Sequence, residues 1–374
     1  MPSENKNIMR VAIFHNYLDN IGGAEIVGLT LARELNADIF TTNIDPEKIK
    51  KVGFSDVLPR IYSIGKVPIN APFRQQLALF RFSLLNLKNK YDFYIIDGDW
   101  AVSGAKNNKP NLWYVHSPIR EIWDLHKFTR KNNVRFFLRP IFDLWVLFNR
   151  YLNKKYASKV NKFVCNSKNT KNRLKKFLGK ESIVINPPTD TKKYFFRKNK
   201  NYWLSVNRLI SHKRIDMQLK AFSKLPEENL IIVGSYEKSK HFLEYANYCK
   251  KIKPKNVIIK SWVNDKELKQ LYANCKGLLA TAIDEDFGMS VVEAMASGKP
   301  VITSNEGGYK ETIVNGKTGV LIDKINSEKL ATEIKKMSQK LEKNPFLFKQ
   351  ECQKRAVQFD TKIFIEKIKN IIIT

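Results

Sequence analysis

The chain reads as two α/β domains, each built on a parallel sheet, and three observations predict this. Short apolar runs of strand length alternate with amphipathic helical segments from residue 9 onward. A polar and basic stretch after Pro187 and Pro188 interrupts that alternation. At Tyr202 the alternation begins again and ends in a region where strand, glycine turn and helix occur twice in succession. A chain of 374 residues is long for one core and comfortable for two.

Residues 9–15 (MRVAIFH) form the first expected strand, followed by a glycine turn and an amphipathic helix through Leu35. Gly22 and Gly23 let a backbone approach a ligand closely at that helix start, though tight turns use such pairs for geometry alone. Residues 37–42 give the next strand, and Ala71, Pro72, Phe73 and Arg74 open an apolar helix (QQLALFRFSLLNL). The strand at 91–97 (YDFYIID) ends in Asp97-Gly98-Asp99, a spacing that elsewhere holds a metal on a diphosphate. Three-residue matches arise often by chance, and no metal is expected here. The strand at 112–116 (LWYVH) leads into His116 and Arg120, groups suited to proton handling and phosphate holding at the rim of an open sheet. An isolated histidine is more often structural.

Residues 136–148 (FFLRPIFDLWVLF) are strongly apolar, and Pro140 argues against one unbroken helix. They read either as a core helix of the first domain or as an element lying on a membrane surface among lysines. A strand at 162–167, a basic helix at 169–178 and a last strand at 182–190 complete this half.

The second half opens with YWLSVNRLISHKRID, which sets Arg208 and Lys213 five apart on a strand-to-helix loop. Two cations there would clamp a diphosphate and stabilise charge growing on a leaving group. Strands follow at 230–234, ending in the Gly234-Ser235 loop, and at 256–261, ending near Trp262 and Val263. Residues 277–285 read as a buried strand closed by Glu285, after which Phe287 and Gly288 turn into a helix from Ser290 to Gly298. Glu285 and Glu293 bracket that turn and are placed to face one ligand, or are two solvated acids. A further strand at 301–303 and the turn Gly307-Gly308 repeat the unit, and the chain is helical again beyond Phe359.

Taken whole, residues 285–312 (EDFGMSVVEAMASGKPVITSNEGGYKET) resemble the donor-binding signature of the retaining glycosyltransferases of family 4. That family has the GT-B fold, two Rossmann-like domains facing across a cleft with a C-terminal helix returning to the first. The resemblance implies Glu285 against the transferred sugar and Glu293 on the ribose hydroxyls. It implies the backbone of Phe287, Gly288, Met289 and Ser290 on the nucleotide diphosphate. Residues 207–213 (NRLISHK) are similar to the family's GRL-x-x-x-K, with Asn207 in place of the first glycine, and imply Arg208 and Lys213 as the cationic pair. Gly234 and Val263 would border the nucleotide, and Gly22 and Gly23 would face acceptor and phosphates. Residues 114–125 (YVHSPIREIWDL) resemble the Y-x-H-[ST]-P-x-R-x-x-W-D segment of one branch, whose members often move mannose from GDP-mannose onto lipid-linked glycans. There His116 would face the reacting sugar and Arg120 the acceptor side, although DGDWA stands where that branch carries a Ser/His-rich string.

The implied layout is an acceptor domain at 1–190, a linker at 191–201, a nucleotide-sugar domain at 202–356 and a returning helix at 357–374. A nucleotide sugar, GDP-mannose first and UDP-linked sugars next, is the implied donor, with neither cofactor nor metal.

The charge balance adds a partner. Lysine and arginine number 66 against 36 acids, a formal net charge of +30, and from Lys127 to Lys180 there are sixteen cations and the single acid Asp143. Such a face seeks a polyanion, unless it only reflects a lysine-rich composition. A basic nucleic-acid-binding protein on a Rossmann-like scaffold is the alternative class. No recognition module or base-stacking motif appears, so an anionic membrane surface is expected instead. Four scattered cysteines read as reduced thiols, and neither a signal peptide nor an 18-residue apolar run is present. The expectation is a cytoplasmic protein, peripheral at the inner face of the membrane.

Overall fold

The computed structural model describes residues 9–69, 73–234, 240–261 and 263–373; Ala71, Pro72, Ser235 and Trp262 lie outside them. The chain divides into two units, Met1–Ile185 with Ile365–Thr374, and Asn186–Phe364.

The first unit holds a seven-stranded sheet in the order β3-β2-β1-β4-β5-β6-β7. Its strands are β1 (Val11–Phe14), β2 (Asp38–Thr41), β3 (Ile61–Ser63), β4 (Phe93–Ile96), β5 (Asn111–Val115), β6 (Lys162–Cys165) and β7 (Ile183–Val184). Every pairing is parallel. Continuous apolar runs predict this, because β1, β4 and β5 are buried at every position, as strands covered on both faces must be. Both edges are short, which limits the row of unpaired backbone groups they offer. Of the strand expected at 182–190 only Ile183–Val184 join the sheet; Pro187 and Pro188, just beyond, have no N–H for a ladder.

The second unit repeats the plan with six parallel strands, β10-β9-β8-β11-β12-β13. They are β8 (Trp203–Val206), β9 (Leu230–Val233), β10 (Val257–Lys260), β11 (Leu278–Ala280), β12 (Val301–Ser304) and β13 (Gly319–Ile322). In both sheets the chain winds outward one way and then restarts beside its first strand, so the order reverses between β1 and β4 and between β8 and β11. Crevices at such reversals, beyond the carboxyl ends of the strands, are where open α/β sheets bind ligands.

The segment 191–201, expected as a linker, lies within the second unit. Fully buried Lys299 holds it there, donating to the Arg197 carbonyl at 2.8 Å and to Asn199 Oδ1 at 2.5 Å, with its ammonium 4.1 Å from the Phe196 ring centroid.

Six helices matter below: α1 (Gly23–Glu34), α2 (Arg74–Leu84), α3 (Arg139–Ala157), α4 (Lys168–Leu178), α5 (Met289–Ala296) and α6 (Thr361–Ile373). From Ile365 onward α6 belongs to the first unit, where Lys162 Nζ donates to the Ile371 carbonyl at 2.9 Å.

The apolar segment 136–148 is a core element only in part: Val146 is buried with Phe142 and Trp145 packed beside it, and the rest of its apolar side chains are largely exposed. A 3₁₀ turn (Phe136–Leu138) precedes α3, whose first turn accepts Pro140 because that position needs no N–H. The face of α3 that packs inward carries Val146, Asn149, Asn153 and Ala157, while Phe136, Ile141, Leu144 and Phe148 are exposed. Among the described residues no helix is long and apolar enough to cross a membrane.

Candidate functional site

In the second unit the reversal point brings two loops together. The loop after β8 carries Arg208, exposed, and a 3₁₀ turn (Ser211–Lys213). The loop after β11 carries Glu285. Thr281 Oγ1 donates to the Lys213 carbonyl at 2.9 Å, and the Ile283 amide donates to the His212 carbonyl at 2.8 Å, so the loops are stitched along their backbones. Lys213 Nζ then donates to Glu285 Oε2 at 2.5 Å, with each side chain 15% exposed. Tyr309 reaches the same oxygen through its hydroxyl at 3.4 Å. Arg214, held at φ 53°, forks onto Glu306 at 2.9 and 2.8 Å and fixes the flank.

Glycines make the approach possible. Gly288 sits at φ 90°, and a Cβ there would lie 2.7 Å from the Tyr309 ring. Gly307 and Gly308 press on the backbone at 284–287, where the Gly308 amide donates to the Glu285 carbonyl at 2.7 Å. Helix α5 starts at Met289 with no capping side chain; the Val291 amide turns back to the Gly288 carbonyl at 3.0 Å, and the amides before it precede any helical carbonyl they could reach. Phe287 is buried and meets Phe359 edge-on at 5.4 Å, so its part in any ligand contact falls to its backbone. Glu293, one turn into α5, accepts from the Tyr272 hydroxyl at 2.6 Å, and burial holds its carboxyl above the ordinary range. Gly234 packs against the Asn207 carbonyl and Val263 is buried; their neighbours Ser235 and Trp262 are outside the described residues.

In the first unit the carboxyl ends of adjacent strands β1, β4 and β5 present His15, Asp97 and His116. Asp97 bridges the two imidazoles, accepting from His15 Nδ1 at 2.8 Å through Oδ2 and from His116 Nε2 at 2.8 Å through Oδ1. His15 Nε2 lies 3.5 Å from Glu25 Oε1, and Glu25 Oε2 accepts from the Gly22 amide at 2.8 Å. The glycine loop is therefore tied to the same network. Burial alone would push the His15 imidazole down, but its two carboxylates prevail and raise it to about 10. Burial would likewise raise Asp97, yet the imidazoles, His116 foremost, bring it below the ordinary range. Asp99 accepts from Asn16 at 2.6 Å and from the Trp100 amide at 2.9 Å, and burial raises its carboxyl. Both members of the D-x-D pair thus have polar partners inside the protein. Arg120 grips Asp124 four residues on, at 2.9 and 2.8 Å, while Arg173 of α4 donates to Ser117.

Residues 187–351 match the profile of glycosyl transferases group 1, and residues 21–193 match that of glycosyltransferase family 4. Between them the two matches span both units. The chain belongs to glycosyltransferase family 4. It is 28% identical to the alpha-1,3/1,6-mannosyltransferase ALG2 of Candida glabrata over 423 residues, covering 94% of this chain and 89% of that protein. It is 27% identical to the O-antigen chain mannosyltransferase RfbU of Salmonella typhimurium over 233 residues, 56% of this chain and 66% of the relative. The crystal structure of Anabaena HepE in complex with UDP and glucose superposes with a TM-score of 0.78 at 18% identity, over 97% of this chain and 99% of that one. The fold is GT-B.

Within this glycosyltransferase, reading the sequence missed His15, Glu25, Gly28, Tyr272 and Tyr309. One signal was available for the first: His15 ends a buried strand and so faces the rim, as His116 does. Gly28 lies in the interior of α1, where alanine ordinarily stabilises by about 1 kcal/mol. Here a Cβ would come within 2.5 Å of Asp97 Oδ2. Gly28→Ala is therefore expected to lower stability rather than raise it, by roughly 1–3 kcal/mol in urea unfolding; a stabilised variant would show that Asp97 does not need that space.

Proposed function

We propose that this glycosyltransferase is a retaining, metal-independent mannosyltransferase that uses GDP-mannose and a lipid-linked glycan acceptor. The observation that carries the reading is the Lys213–Glu285 pair at the reversal point of the second sheet, beside the uncapped start of α5. In this reading Arg208 and Lys213 hold the diphosphate and supply the positive charge a metal would otherwise bring. The amides at 287–290 add to that cradle through the helix dipole, and Glu293 accepts from the ribose hydroxyls, with Gly234 and Val263 bordering the nucleotide. Glu285 orients the sugar and stabilises positive charge at its anomeric carbon. His116 binds near the C6 hydroxyl, while Gly22, Gly23 and Arg120 serve the acceptor side. The anomeric C–O bond to phosphate breaks as the acceptor oxygen bonds the same face, and the acceptor proton passes to the leaving phosphate. Configuration is retained.

Mannose is supported by the two relatives named as mannosyltransferases, one of them for an O-antigen chain. Work at the cytoplasmic face of a membrane is supported by the net charge of +30 and by the lipid part of the proposed acceptor.

Thermal unfolding with a panel of nucleotides tests the donor. GDP and GDP-mannose at a hundred times their dissociation constants are expected to add about 2.7 kcal/mol and raise Tm by several degrees, with UDP and UDP-glucose inert. A response to UDP compounds alone would replace mannose with a UDP-linked sugar. No response to any of them would overturn the donor site.

A further inference from the structure

Helix α3 is apolar on two sides: Val146, with Phe142, Trp145 and Leu152, packs into the first unit, and a second apolar stripe faces outward. Its inward face includes Asn149, which accepts from Gln76 at 3.2 Å, and Asn153, which accepts from Trp123 Nε1 at 3.0 Å. Its outward face carries Ile141, Leu144, Phe148 and Tyr151, spaced as one helical stripe, with Leu144 69% exposed. The Gln76–Asn149 bond sets α2 alongside, and α2 shows a second stripe, Leu77, Phe80 and Leu84. At the head of α3 Phe136 is 81% exposed and Phe137 is bare beside it. Two adjacent helices with outward apolar stripes make a patch that a lone soluble surface would not keep.

We propose that this α2–α3 face is a docking surface for an anionic phospholipid bilayer, with its aromatic and aliphatic side chains entering the headgroup–acyl boundary. The choice of occupant rests on charge. Cations flank the stripe at both ends, Arg139 over the Phe136 ring at 5.6 Å and Lys155 over the Tyr151 ring at 5.9 Å. The one acid between Lys127 and Lys180, Asp143, is already held by Arg130 at 2.9 Å and His126 at 3.2 Å. A second copy seated on this face would set two such cationic rims against each other, which like-charge repulsion opposes. A membrane carrying anionic lipid meets both features at once, the stripe by insertion and the rim by attraction. This surface deepens the peripheral reading above and rests on it.

Co-sedimentation with vesicles tests it. Wild-type protein is expected to pellet with phosphatidylglycerol–phosphatidylcholine vesicles and to remain in solution with phosphatidylcholine alone. Each of Phe136→Ser, Leu144→Ser and Phe148→Ser is expected to weaken partitioning by about tenfold. Arg139→Gln/Lys155→Gln is expected to do so in a salt-dependent way. Phe346→Ser, an exposed aromatic of the second unit, serves as the control and is expected to bind as wild type does. Variants that pellet like wild type would leave the protein peripheral but sink this surface. Wild type that stays in the supernatant would overturn both. A wild-type dimer in light scattering that Leu144→Ser dissociates would assign the face to a second copy instead.

Discussion

Lys213→Ala is expected to lower kcat by about 10²- to 10³-fold, the range seen when one preorganised charge-stabilising group is removed, while the protein remains folded. Its ammonium lies 2.5 Å from Glu285 and is 15% exposed, so it is held in place without being sealed from a ligand. Before donor binds, the pair neutralises itself. A diphosphate arriving at the loop would compete with Glu285 for the ammonium, and the released carboxylate would then be available to the sugar. Two consequences separate this from a purely structural ion pair. Glu285→Gln, which keeps shape and loses charge, is expected to cost about as much turnover as Lys213→Ala, and the double variant is expected to be far from additive. Stability moves little by comparison, because the pair is partly solvated and Tyr309 remains beside Glu285 at 3.4 Å. Single-turnover transfer and circular-dichroism melts of the three variants measure both sides. Wild-type turnover in either single variant would remove the pair from the reaction.

That pair was legible in the sequence because each member ends a continuous string, NRLISHK or the run into Glu285, and the end of a buried strand in a parallel sheet points to the rim. The first-unit network was not legible for a topological reason. His15 and Asp97 lie 82 positions apart and meet only because β1 and β4 are neighbours. Apolar runs mark the strands and are silent on their order, so Asp97 entered the reading as half of a D-x-D pair and His15 did not enter it. Strands β3 and β13 went unread because, part-exposed at the sheet edges, neither offers a continuous buried run. Helix α3 shows a different limit. It is apolar on two sides, so hydrophobicity alone does not say which stripe packs inward; Val146 and the paired asparagines 149 and 153 mark that side. The segment was read for its hydrophobicity when the informative residues were its amides.

The buried network should also announce itself in the pH dependence of stability. His15, raised from its ordinary 6.5 to about 10, keeps its proton in the folded state over a range where the unfolded chain has lost it. A raised pKa contributes stability that is complete below about pH 6.5 and declines by about 1.4 kcal/mol per pH unit as pH rises toward 10. Glu25 and Asp97, both lowered, act with opposite sign: their contribution is present above the carboxylate range and is lost on acidification. Lys299, whose buried ammonium is pushed down to about 8, offsets the His15 slope above that pH. The clean window therefore runs from about pH 6.5 to 8, where wild type is expected to lose about 2 kcal/mol, a fall in Tm of roughly 4–8 °C for the first unit. Asp97→Asn keeps the shape and removes the bridging charge. At about pH 6.5 it is expected to cost about 3–5 kcal/mol, since it leaves a buried imidazolium facing an amide, and the cost should shrink as pH rises and His15 gives up its proton. The amide also has an acceptor on one side only, so it cannot accept from both imidazoles as the carboxylate does. One ring must turn or change tautomer, and His116, 21% exposed where His15 is sealed, is the freer of the two. Transfer by Asp97→Asn is accordingly expected to fall along with stability, with a shifted pH–rate profile in the fraction that stays folded. A wild-type melting profile that stays flat between about pH 6.5 and 8 would mean that His15 is neutral in the native state, and the carboxylate bridge would then only align His116.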